Sequence, residues 1–406
     1  MPFRIALSGL NAAQADLKVT GNNIANASTT GFKKARTEFA DVYAVAFEGI
    51  SSIATGNGVS VSSVTQNFSQ GNIDFTERNL DIAVSGQGFF VLNDASGQSY
   101  SRAGAFNIDR NGNVVNQQGQ RLQIFPAVSG GGFNTGTLSD LTLSTTDGPP
   151  QATTSITATV NLSASDSVPA TTPFDPNDPT SFNNSTSTVI YDSLGTAHSA
   201  TMYYVKSSVA NQWDVYQYVD GNVVGSGGTS PISVNFNQDG TINGPTSITY
   251  DSVPSGTGAL PLQFSVSYAD STQFGSPFSV NALSQNGYAT GRLSGIDIDD
   301  EGVVFARYTN GQSSALGKVA LANFPNVGGM RQLGDTTWAQ TFESGDVILG
   351  EANTASFGLV QSGALEASNV DIAASLVNLI TAQRNFQANA QVISAADTVT
   401  QTIINI

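Results

Sequence analysis

The chain runs to 406 residues, too long for one ordinary domain, with a net charge of −16 and only 11% charged residues. That acidity argues against nucleic acid and an anionic membrane surface as principal partners. The absence of cysteine excludes disulfides, thiol catalysis and thiolate metal sites.

The first predicted element is a helix. Phe3, Leu7, Leu10, Gln14, Leu17, Gly21 and Ile24 step alternately by four and three, the heptad spacing of a helix that packs on another. The opening MPFRIALSGLNAAQADL has one basic residue before Ala6 and no long apolar core. It makes a poor signal peptide, so any export is expected to leave this end uncut. Next comes GNNIANASTTGFKKARTEF, where Asn22, Asn23, Asn26 and Gly31 predict a break. Phe32, Lys33, Lys34 and Arg36 follow as a basic cluster. Two readings stand for the cluster: a solvated face, or a contact reaching acidic groups on neighbouring subunits.

The middle reads as β structure. SYSRAGAFNIDR, STVIYDSLGTAHSATMYYVKS and QWDVYQYVDGNVV alternate as half-buried strands do. The turns DRNGNV, NQDGTI and DDEGVV each set Asn or Asp close to Gly, as tight hairpins require. The first and third are expected in one domain assembled from both halves of the chain. Between residues 122 and 291 Lys206 is the only Lys or Arg and Glu is absent. This block predicts a separate β domain at 146–284, inserted between DGPP and SQNGYATG into a domain formed by 72–145 and 285–359.

The last predicted element is a second heptad helix. Its row is Ile372, Leu376, Leu379, Gln383, Phe386, Ala390, Ile393, Asp397, Thr400 and Ile404. Residues 1–36 hold five basic side chains against one acidic, and residues 359–406 hold one against three. Electrostatics therefore favours pairing of the two ends. The fold class expected is multidomain and mainly β, with a coiled-coil-like domain from the helical termini (1–28 and 360–406), a bridge at 29–71, and two antiparallel β domains nested outward.

Catalytic chemistry has little to work with. His198 is the only histidine, so a Ser–His–Asp triad would have to use it; a half-exposed strand residue is the simpler reading. SGQGFFVL has the wrong spacing for a dinucleotide loop and opens a strand. DIDDEG is partly like a calcium loop, but Tyr308 would occupy position twelve. No catalytic residue, cofactor or metal is expected. Tyr203, Tyr204, Trp213, Tyr216 and Tyr218 could line a groove, which keeps open a secreted β-rich adhesin or carbohydrate-binding protein.

LSGLNAAQADLKVTGNNIANASTTGFKKARTEF and SGALEASNVDIAASLVNLITAQRNFQANAQVI resemble the rod and hook family of bacterial flagellar axial proteins. The likeness continues through GNIDFTERNLDIAVSGQGFFVL, YSRAGAFNIDRNGNVVNQQGQRL and LGKVALANFPN. Length and the inserted domain resemble the hook branch more than a distal rod-type protein. It departs at Ser375, where the family usually has Glu. The resemblance implies a self-polymerising structural protein of a curved, flexible tube carrying motor torque, with no enzymatic activity. Leu7, Leu10, Leu17, Ile24, Ile372, Leu376, Leu379, Phe386 and Ile393 would form the subunit interface, and the bridging segment would be pinned by its basic cluster. Implied partners are copies of itself, the distal rod, hook cap and hook–filament junction proteins, and the flagellar export apparatus, with no nucleic acid and no membrane. The implied location is the extracellular hook, reached without a cleaved signal peptide.

Overall fold

The computed structural model describes residues 2–42, 56–128, 130–143, 147–254, 256, 258–354 and 356–404. These fall into two compact units. One combines 1–144 with 295–307 and 313–406; the other combines 145–294 with 308–312.

The first unit holds the helices α1 (Pro2–Ala25) and α2 (Ile372–Ile404) and most of a twelve-stranded sheet. Strands from both halves of the chain join in that sheet: Ser313–Asn323 pairs antiparallel with Arg121–Pro126 and with Phe89–Asp94. Its core is aromatic. Tyr100 meets Phe324 edge-on at 4.8 Å between centroids, and the buried Trp338 donates from Nε1 to Gln66 Oε1 at 2.7 Å. Gln66 ends a two-stranded ribbon, β1 (Ala35–Asp41) with β2 (Val59–Gln66), so that bond ties the ribbon to the sheet.

α2 starts later than the expected boundary at 360. Leu359–Ser362 and Ala364–Glu366 are strands, paired with Ile82–Ser85 and Ile73–Phe75. Val360 and Ala364 are fully buried there, so core packing claims these residues before a helix can. Asp371 then caps the helix: its Oδ1 accepts the Ala374 N–H at 3.0 Å. α1 also outlasts its predicted break, running through Asn22 and Asn23 to Ala25 before turning.

The second unit has two sheets around one core. Ser155–Asn161 lies between Ser265–Ser267 and Ser279–Gln285 in a four-stranded sheet; Ala197–Lys206 lies between Asn184–Tyr191 and Gln212–Val219 in a six-stranded one. Ile156, Val160 and Val266 of the first sheet share a buried cluster with Met202, Tyr204, Trp213 and Val215 of the second. The unit departs from a purely antiparallel plan. Ser155–Asn161 runs parallel to Ser265–Ser267, because those strands come from distant parts of the chain and no tight turn dictates their direction.

One hairpin device recurs at 109–113, 116–120, 192–196, 237–241, 299–303 and 308–312. The first residue donates its N–H to the fifth carbonyl and accepts from the N–H of a fourth-position glycine at φ 80 to 84°. Side chains with a bulky Cβ are strained at such angles, so these positions take glycine. In all but the turn led by Tyr308, the leading Asp or Asn adds side-chain bonds. Asp109 Oδ1 accepts from Asn111 and Asn113, and Asp299 Oδ1 accepts from Glu301 and Val303.

Candidate functional site: the helix pair and the junction beneath it

α1 and α2 lie side by side; on α1 the packed face is not the one its large residues mark, whereas on α2 it takes in Leu379, Phe386 and Ile393 of the expected row. On α1, Ala6, Ala13, Thr20 and Asn23 form a buried row, with Ala12 buried beside it. On α2 it is Ser375 and Ala382, with Leu379, Phe386, Asn389 and Ile393 half-buried. Relative to the heptad row of α1, the packed row sits one residue earlier, a rotation of about 100°. Gly9 marks the closest approach: a Cβ there would fall 2.6 Å from Asn389 Oδ1. Small residues let the backbones close, and a large pair would hold them apart. Ser375 belongs to this buried row.

The expected interface residues therefore split. Leu379, Phe386 and Ile393 are half-buried, as are Leu10, Leu17 and Ile24. Leu7, Ile372 and Leu376 are exposed at 42%, 52% and 45%, alongside Phe3, Val377 and Ile380. Charge plays no direct part in the pairing: among the described residues no ion pair joins the helices, despite their opposite signs.

Below the pair, three distant segments meet. Lys33 does not reach neighbouring subunits; it is buried and paired inside its own chain, correcting that reading. Its Nζ donates to Glu366 Oε1 at 2.6 Å and to the Ser69 carbonyl at 2.9 Å. Arg102 Nη1 reaches Glu366 Oε2 at 3.2 Å, and Gly71 N–H donates to Glu366 Oε1 at 2.8 Å. One carboxylate thus sits between two cations, all three at most 4% exposed. Burial pulls the Lys33 pKa below its usual 10.5; Glu366 opposes this and Arg102 reinforces it. Burial likewise lowers Arg102, against the pull of Glu366. Isolated buried charges are far too costly, so the cluster stands or falls as a unit.

The neighbouring residues lock the same place. Gly31 is at φ 69°, and a Cβ there would lie 2.5 Å from the Ala103 nitrogen, so both angle and space demand glycine. Asn369 Oδ1 accepts the Lys34 N–H at 2.8 Å, while its Nδ2 donates to the Asn67 carbonyl at 2.8 Å. Asn23 acts as a mock strand for Ala35, donating to its carbonyl at 2.7 Å and accepting its N–H at 2.9 Å. Asn26 donates to Asn22 Oδ1 at 2.9 Å, closing the turn after α1, and Phe32 is buried. Arg36 alone of the basic cluster stays in solvent, beside Glu38. Glu366, Arg102 and Asn369 escaped the sequence reading. Each lies far from Lys33 along the chain, and no spacing ties it to that lysine.

The second unit contains no competing site among its described residues. His198 is buried rather than half-exposed. Its Nδ1 lies 2.6 Å from Asp220 Oδ2 and its Nε2 3.4 Å from Asp192 Oδ2. With a carboxylate on each ring nitrogen, it is placed to clip two turns together rather than to serve a serine. The possible aromatic groove is closed: Tyr204 and Trp213 are fully buried, and Phe174 stacks on Tyr216 at 4.0 Å. No group of three or more metal-ligating side chains occurs among the described residues, and no described helix is long and apolar enough to cross a membrane.

Family models match along the chain: "Flagella basal body rod protein" at 3–33, "Flagellar hook protein FlgE/F/G D1 domain" at 83–160, "Flagellar basal body protein FlaE D2 domain" at 161–288 and "Flagellar basal body rod FlgEFG protein C-terminal" at 361–406. The flagellar hook protein FlgE of Salmonella typhimurium is 39% identical over all of both chains. The chain belongs to the flagellar hook protein family. The FlgE of Escherichia coli K12 is also 39% identical over the full length of both, and that of Borreliella burgdorferi is 32% identical over 98% of each. The crystal structure of Helicobacter pylori flagellar hook protein FlgE2 shares the fold, with TM-score 0.54 at 15% identity over 72% of this chain and all of that one. The family is structural, and none of these relatives carries an enzyme's name.

Proposed function

We propose that this member of the hook family is the subunit of a flagellar hook, polymerising into a curved, flexible tube that transmits torque from rod to filament. One observation carries the reading. The helices pair through small side chains and leave Leu7, Ile372, Leu376, Val377 and Ile380 in solvent. Such residues favour burial against further helices, and a second copy supplies them. Leu10, Leu17, Ile24, Leu379, Phe386 and Ile393, half-buried in one chain, would complete the interface. The ribbon within 29–71 ties to the sheet of the first unit through Gln66. The inserted unit near 146–284, almost without basic residues, would meet its neighbours through weak polar contacts that can slide.

The distal rod, hook cap and junction proteins are proposed as end partners. Export by the flagellar apparatus, without a cleaved signal, is proposed as the route to the cell exterior. The test is electron microscopy of the purified full chain. Tubes are expected. Chains lacking 2–25 or 372–404 should form none, and a chain with the inserted unit replaced by a Gly-Ser linker should form tubes of altered curvature. Tubes from a helix-deleted chain would sink the proposal.

A further inference from the structure

Where α1 ends, the first unit carries a notch of about 490 Å³. Asn26, Thr30 and Phe32 line it along the turn after the helix; Gln117, Gln118 and Thr336 line it from two hairpin tips. Two features set it apart from an ordinary surface dent.

The first is strain. The hairpin tip at 334–337 holds Asp335 at φ 48° and Thr336 at φ 56°. A β-branched residue rarely adopts that angle, and glycine or asparagine is the usual choice. Ser101 holds Thr336 there, its hydroxyl donating to the Thr336 carbonyl at 2.8 Å. Strain held by surrounding structure is commonest where a surface must present a fixed shape.

The second is chemistry. Apart from Asp335, every lining side chain is neutral, and the lining is rich in amides and hydroxyls. Amides donate and accept, which matches the alternating N–H and C=O of an extended backbone. In a chain of charge −16, a nearly neutral surface is one where two copies can touch with little repulsion. Gln117 and Gln118 stand exposed at their tip, free to turn toward an incoming chain. The notch also continues the interface proposed above: Asn22 and Asn26, which flank Ile24 of the α1 row in the chain, both line it.

We propose that this notch receives an extended backbone segment from a second copy of the chain, held by hydrogen bonds from Gln117, Gln118 and Thr30. The proposal rests on the assembly reading. The contact joins unlike surfaces, the kind that propagates a helical polymer rather than closing a dimer.

The absence of cysteine makes the test clean. Gln118→Cys, at an exposed turn, places a single thiol at the rim for a photoreactive maleimide label. Illumination of the assembled full-length polymer should give covalent dimers on a denaturing gel; the dilute chain should give none. Independently, Gln117→Ala with Gln118→Ala and Thr30→Val should raise the critical concentration for assembly about tenfold, with an unchanged urea midpoint. If the unmodified chain forms no polymer, the assembly reading fails and the notch proposal falls with it. If polymer forms but the label couples only within its own chain, or the triple variant assembles at the wild-type concentration, the notch proposal alone is overturned.

Discussion

The helix pair and the inserted unit solve burial in opposite ways. In the inserted unit, two sheets close over Trp213, Tyr204, Tyr268 and Val266, each at most 2% exposed. On α2, a helix of 33 residues, Ser375 and Ala382 are buried, while Leu376, Val377, Ile380, Val392 and Val399 face solvent. A hydrophobic core of the first kind stabilises a single chain; a surface of the second kind gains its stability from neighbours. The buried Lys33–Glu366–Arg102 cluster lies within the first unit, at the boundary between its helix pair and its own β structure.

The largest expected effect is at that boundary. Glu366→Gln leaves Lys33 and Arg102 buried without a counter-charge, a loss of about 3–5 kcal/mol. The chain has two tryptophans, Trp338 in the first unit and Trp213 in the second, so each unit reports its own unfolding once the other indole is replaced by phenylalanine. In urea the Trp338 transition should move sharply to lower denaturant while the Trp213 transition stays put. Equal movement of both would erase the contrast between the regions.

A paired substitution on one helix sharpens it. Ala382→Asp puts a charge into the helix–helix contact and should cost about 2–4 kcal/mol of the pair's stability. Leu376→Asp, on an exposed position, should change chain stability by no more than about 0.5 kcal/mol. Both should abolish tubes in electron microscopy. Tubes from Leu376→Asp would mean that the outward row is not an interface. Gly9→Leu belongs with the first of the pair: its side chain meets Asn389, so the protection of α1 and α2 in amide exchange should fall before any effect on the β units appears.

The smallest effect is a pH dependence confined to the inserted unit. Burial lowers the His198 pKa, but hydrogen bonds donated to Asp220 and Asp192, then the charges of those carboxylates, outweigh it and raise it above 6.5. A raised folded-state pKa stabilises fully below the unfolded value and is lost as pH climbs through the folded one. Asp220, lowered by His198 against the effect of burial, contributes above the unfolded carboxylate value of 3.8 and is lost only in acid. Thermal unfolding followed at Trp213 should therefore shift to lower temperature between pH 5.5 and 8.5, while the Trp338 signal barely responds. His198→Gln should flatten the shift; a wild-type profile in that variant would rule out the clip.

Much of this was legible in the sequence, because it depends on neighbours along the chain. Heptad steps announced both helices, and Asn or Asp set against Gly announced the hairpins at 109–113, 237–241 and 299–303, since turn geometry is decided within five residues. The change in composition after residue 122 suggests an inserted block, but it sets the far border at 284, whereas the second unit runs to 294 and takes in 308–312. What the sequence could not settle was which surfaces meet. Two rows one residue apart share the same heptad period, so periodicity cannot choose between Leu7 and Ala6; close approach at Gly9 chose the small row. Lys33 looked like a surface charge until Glu366, 333 positions away, came within 2.6 Å of it. His198 looked like an ordinary strand residue until the hairpins carrying Asp192 and Asp220 folded onto either side of its ring. Local propensity depends on bonds and turns within a few residues, whereas burial and ion pairing depend on partners that only the folded chain brings together.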